Sequence, residues 1–280
     1  MTDRDIQSAL PDGVVAADTI TLLPPEAEGA VVVSGSHGGI YPGQLALAAG
    51  ARAVILNDAG GGRDGAGYGS LALCEAAGVA AAVVAHDTCR IGETGDMLAR
   101  GRISRANALA AAAGVSPGMT CLEAARLLTH APLASGPRAK PGEEARRILD
   151  LPGPGRIVVL CDSASLVGPE EAGRIVVTGS HGGLIGNNPA KALKADAFAA
   201  VFNDAGVGAD GWGITRLPVL DARGVAAFTV STDSARIGDA LSSFEDGIVS
   251  HVNERAAALG IAAGMAARDA IIRLRALDAA

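Results

Sequence analysis

Ser34-Gly35-Ser36-His37-Gly38-Gly39 follows the apolar run Val31-Val32-Val33, and Thr178-Gly179-Ser180-His181-Gly182-Gly183 follows Ile175-Val176-Val177. Meeting this segment twice decides the reading of the chain, because the residues downstream of each copy also match. Asn57-Asp58-Ala59-Gly60-Gly61-Gly62-Arg63-Asp64-Gly65-Ala66-Gly67 and Asn203-Asp204-Ala205-Gly206-Val207-Gly208-Ala209-Asp210-Gly211-Trp212-Gly213 agree at eight of eleven positions, too many for chance. Asp87 and Arg90-Ile91-Gly92 return as Asp233 and Arg236-Ile237-Gly238. Matches begin near Val14 and Val158 and fade near Leu128 and Leu274, so one module has been written twice in tandem.

Within each copy short β-branched runs alternate with Ala/Leu-rich stretches. The runs start at Val14, Val31, Ala53 and Val79, and again at Ile157, Ile175, Ala199 and Val225. They are apolar at consecutive positions, as strands buried on both faces of a parallel sheet require. Helices are expected over 43–49, 69–77, 104–113 and 120–128. The alternation predicts an α/β protein of two tandem homologous repeats, each a mainly parallel sheet with flanking helices, related by a pseudo-two-fold. The repeats span 1–128 and 156–280. Between them 129–155, with five prolines and no partner in the other copy, reads as a linker with one helical turn over 143–149.

Composition narrows the function. A net charge of −7 and 2% aromatic residues disfavour a nucleic-acid surface, which needs clustered bases and stacking platforms. The core must be filled by Ala, Val, Leu and Ile, and 38 glycines allow close backbone approach. Cys74, Cys89, Cys121 and Cys161 show no Cys-x-x-Cys spacing, against a disulfide frame or zinc site. The start, Met1 to Ile6, lacks a secretory pattern, and the longest apolar run, near Ala76 to Ala85, is too short to span a bilayer. The expected setting is cytoplasmic, with no membrane partner and a small molecule as substrate; a homo-oligomer is compatible with it.

In such a sheet the ligand crevice lies beyond the carboxyl ends of the strands, and the duplicated polar sets fall there. His37 and His181 at strand ends suit acid/base work. Ser36 and Ser180 beside them, with the amides of Gly38, Gly39, Gly182 and Gly183, are read as holding an anion or a developing oxyanion. Asn57, Asp58, Asn203 and Asp204 are read as orienting groups; the bland alternative is that they satisfy a glycine-rich turn. Asp64 and Asp210 look structural. Arg90 and Arg236 are candidates to clamp a substrate carboxylate, or to pair with Asp87 or Asp233 and hold the two copies together. Cys89 is weighed as a nucleophile and read as a small buried apolar residue.

No local metal-ligand spacing is present, so no cofactor is expected and a divalent metal is the minority alternative. The expected function is a hydrolase opening a C–N, amide-type bond of a small carboxylated metabolite by His-mediated acid/base catalysis. The alternatives are a lyase or isomerase acting α to a carbonyl, and a non-catalytic small-anion binding module.

Overall fold

The computed structural model describes residues 10–135 and 140–277. The amino-terminal stretch read for a secretory pattern, and Pro137 of the linker, lie outside them. The chain is α/β, built on two mixed, mostly parallel sheets flanked by helices. In the first half β1 (Val14–Ala17), β2 (Val31–His37), β3 (Ala53–Asn57) and β4 (Ala80–Val84) run parallel in that order, and β5 (Ile103–Ala106) closes the edge antiparallel to β4. The linker adds β6 (Arg146–Ile148), antiparallel to β7 (Val158–Cys161). Next come β8 (Ile175–His181), β9 (Ala199–Asn203), β10 (Ala226–Val230) and β11 (Val249–Val252), making a six-stranded sheet in the order β11-β10-β9-β8-β7-β6.

Consecutive apolar residues send alternate side chains to opposite faces, so both faces are covered. In the first half Val32, Val54 and Ala81 pack under α1 (Ile40–Ala48) and α2 (Gly69–Ala76), while Val31, Val33 and Ile55 pack with Met97 and the helix Cys121–Leu128. The second half repeats this with Leu217 and Leu220 on one face and Phe244, Ile271 and Leu274 on the other. The last helix of each half, Cys121–Leu128 or Ala267–Ala276, therefore lies on its own sheet.

Three local expectations change. Residues 104–106 belong to strand β5, and only Ala108–Ala112 are helical. The linker forms strand β6 where a helical turn was expected, because its Arg-Arg-Ile edge finds an open partner in β7. The second copy has no counterpart of α1: its equivalent segment is a loop with one short turn, Pro189–Lys191.

The halves face each other through the loops beyond their strand ends, and several contacts there join corresponding positions of the two halves. Arg63 N–H donates to Thr232 O at 2.8 Å, and Ala209 N–H to His86 O at 2.8 Å. Gly60 and Gly206 meet backbone to backbone: a Cβ built on either would lie 3.2 Å from the Cα of the other. Ala59 and Ile91 of the first half are buried in the second half's core.

Candidate active site

Strand β2 pairs with β3 in register up to Val33–Ile55, and the next pair is His37–Asn57, so four residues of β2 advance against two of β3. Strands β8 and β9 do the same between Val177–Val201 and His181–Asn203. This bulge re-aims the Ser-His pair. Gly35 permits it, since a Cβ there would lie 2.8 Å from both Asp18 O and Gly92 Cα.

Each imidazole consequently backs onto the opposite half. A Cβ on Gly238 would lie 3.2 Å from His37 Cε1, and one on Gly92 would lie 3.3 Å from His181 Cε1. Ser36, His37, Ser180 and His181 thereby line one cavity of about 510 Å³. Tyr41 and Glu144 share its wall, with Lys191, Lys194 and Arg216 contributed by the second half.

His37 is half-buried between this cavity and a neighbouring one, and burial pulls its pKa down to about 4. Its Nδ1 accepts a hydrogen bond from Gly39 N–H at 3.2 Å, which leaves the ring proton on Nε2. His181 is held well below the usual histidine range by burial, by Arg216 and by His37. Its Nδ1 lies beside Gly183 but completes no hydrogen bond. Both rings are neutral at pH 7, and His37 offers a donor rather than a base. Ser36 Oγ accepts from Ile20 N–H at 3.0 Å and Ser180 Oγ from Ala164 N–H at 2.8 Å, so each hydroxyl keeps its hydrogen to donate.

The linker supplies a residue that the comparison of copies could not show. Ala145 and Asp162 exchange bonds, Ala145 N–H to Oδ2 at 2.9 Å and Asp162 N–H to Ala145 O at 3.0 Å, and Gly142 N–H reaches Gln44 Oε1 at 3.0 Å. Glu144 is thereby pinned at the cavity wall, where burial and the nearby Asp162 push its carboxyl up to about 7. Its charge, after burial, also raises the Tyr41 hydroxyl. Only its acidity in a proline-rich stretch marked Glu144 in the sequence.

The remaining predicted residues lie around the cavity rather than in it. Gly38 and Gly182 donate their amides to Asn57 O and Asn203 O at 2.6 and 2.8 Å, and Gly39 serves His37. They are glycines for close packing, since a Cβ on Gly38 would meet Gly67 O and one on Gly182 would lie 2.5 Å from Gly213 O. Asn57 and Asn203 are fully buried, and each Oδ1 accepts from the amide two residues on, at 2.9 Å.

Asp58 Oδ1 accepts from Gly60 N–H at 3.0 Å and from His86 N–H at 2.9 Å, and it lies 3.0 Å from His86 Nδ1. Its Oδ2 accepts from Ser104 at 2.8 Å. Asp204 Oδ1 accepts from Gly206 and Thr232 at 3.0 and 2.9 Å. These two carboxylates brace the glycine-rich turns at the interface.

Arg90 pairs with Asp210 at 2.9 Å and lies 4.6 Å from the Trp212 ring centre, while Arg236 pairs with Asp64 at 2.9 Å. Each pair joins the halves, but through Asp210 and Asp64 of the opposite half rather than the expected Asp87 and Asp233, which precede the arginines in their own turns. The four thiols are buried, and burial raises Cys89 and Cys74 to about 12 and Cys161 to about 11, far from a reactive thiolate.

Among the described residues no group of three or more His, Cys, Asp or Glu side chains is arranged to hold a metal ion, and no helix is long and apolar enough to cross a membrane. No protein-family model, no curated protein and no solved structure matches this chain.

Proposed function

We propose that the cavity between the halves is the active site of a hydrolase that opens an amide-type C–N bond in a small carboxylated metabolite. One observation carries the reading: donors from both halves converge on the cavity that also holds a carboxyl group raised to about 7. A base poised near neutral pH beside neutral, water-sheltered donors is the equipment for chemistry at a carbonyl.

In this scheme His37 Nε2–H and the Ser36 and Ser180 hydroxyls donate to the substrate carbonyl oxygen. Ionised Glu144 removes a proton from water as the water oxygen attacks the carbonyl carbon. The tetrahedral oxyanion is held by those donors, the C–N bond breaks, and protonated Glu144 returns its proton to the departing nitrogen. His37 thus acts as an electrophilic donor, because a ring with a pKa of about 4 gives up its N–H to a hydrogen bond more readily than it accepts a second proton.

The test is amine release from a panel of small amide-bearing carboxylates. The rate constant kcat/KM should rise with pH through about 7 as Glu144 ionises. Glu144→Gln should remove that limb and lower turnover by about 10²- to 10⁴-fold. A cavity that turns over none of the panel, or a variant as active as the parent, defeats the reading.

The same pairing of one carboxylate with neutral donors serves proton removal α to a carbonyl. Uptake of solvent deuterium into the compound without cleavage would favour that lyase or isomerase reading. Binding without any turnover would favour the anion-binding module.

A further inference from the structure

Arg216 opens the helix Arg216–Ala222 with only 2% of its surface exposed. Its Nε donates to Gly183 O at 3.0 Å, and its Nη1 to the carbonyls of Ala192 and Lys191. The side chain lines the cavity, its guanidinium lies 5.0 Å from the Phe202 ring centre, and no carboxylate among the described residues pairs with it. A guanidinium taken out of water without a counter-charge is unfavourable, and an anion arriving through the cavity would relieve that. Burial lowers its pKa to about 10, in keeping with that missing partner. His181, itself buried, lines the same space.

The charge is lopsided. Lys191 and Lys194 come from the loop that replaces α1, and the first half has Ser70 at the position of Arg216. Beyond His37, Tyr41 and Glu144, which it shares, a second cavity of about 460 Å³ carries Asp64, Glu143, Asp162 and Asp239 against a single arginine, Arg236.

We infer that Arg216 anchors the carboxylate of the substrate and sets its direction, so that the site accepts compounds carrying a carboxylate at one end only. The anion lies against the second half, the reacting carbonyl beside His37 and Glu144, and a second carboxylate would be driven against like charge. The position of the reacting carbonyl rests on the function proposed above; the anchor does not.

Calorimetry on the whole chain with three probes of equal length tests this: pentanoate, 5-aminopentanoate and glutarate. The first two should bind, and glutarate about tenfold more weakly or worse. Arg216→Met should weaken pentanoate at least about tenfold. Because that change also removes bonds to the 183–192 loop, its thermal unfolding is followed in parallel. The exposed double variant Lys191→Ala/Lys194→Ala, which leaves the core untouched, should weaken pentanoate a few-fold.

No carboxylate binding by the parent, glutarate bound as tightly as pentanoate, or full affinity in folded Arg216→Met would each overturn the inference. Glu144→Gln should bind pentanoate no worse than the parent. The expected binding pattern without amide cleavage would sink only the proposed reaction. Cleavage with an unchanged KM in Arg216→Met would sink only the anchor.

Discussion

The two halves share their backbone plan and differ in what they bring to the cavity between them. The first half covers its Ser-His turn with α1 and presents Tyr41; the second replaces that helix with a loop bearing Lys191 and Lys194 and places Arg216 below it. All four phenylalanines and the single tryptophan belong to the second half. What the duplication kept is mostly the framework that lets two sheets approach: Asn57 and Asn203, Asp58 and Asp204, and the glycines packed against their carbonyls. What it let drift includes the charge of the wall. Identity between copies therefore marks the shared architecture and the Ser-His pairs it aims into the cavity, and divergence marks the charges each half adds to the wall.

The largest effect tests the shared part. A Cβ on Gly67 would run into Asp58 O, and one on Gly213 into Asp204 O. Gly67→Ala and Gly213→Ala should each cost about 3 kcal/mol or more, by denaturant unfolding. A tolerated substitution in one half alone would break the equivalence of the two turns. Next come the imidazoles. His37→Asn should lower kcat by about 10²- to 10³-fold, and His181→Asn by less, because His37 borders Glu144's side of both cavities. Equal losses would mean that the halves contribute alike.

His86 sharpens the contrast further, since the second half has Thr232 in its place. The bond to Asp58 raises its pKa above the ordinary 6.5. A histidine with a raised folded pKa adds stability that is complete below about pH 6.5 and lost as pH climbs through the folded value. The melting temperature of His86→Thr should therefore fall short of the parent's most clearly near pH 6, and the gap should shrink by pH 8. The smallest difference is between the cross-half arginines. Arg90→Met should cost more than Arg236→Met by the roughly 0.5–1 kcal/mol of an exposed cation–π contact, here with Trp212. Equal melting temperatures for the two variants would remove Trp212 from the account.

The buried strands and the gathering of Ser36, His37, Ser180 and His181 were legible in the sequence, because apolar runs ending in repeated polar residues leave little freedom in a parallel sheet. Three edge strands were not. Ile103–Ala106, Val249–Val252 and Arg146–Ile148 pair on one side only, so their polar residues hide the apolar signature. Glu144 and Arg216 were missed for a related reason: neither is repeated, and a search guided by repetition passes over what only one copy holds. The arginines of the Arg-Ile-Gly turn carried two readings in the sequence. Their partners Asp64 and Asp210, held in the left-handed region at φ 55° and 57°, come from the loops of the opposite half, which no local pattern announces.

His37 rests on Gly238, and His181 on Gly92. A solitary copy of either module would display its ring with nothing behind it. Shelter for either imidazole is thus a property of the whole chain and not of one module, so cutting the chain between the halves would strip both rings of their backing at once.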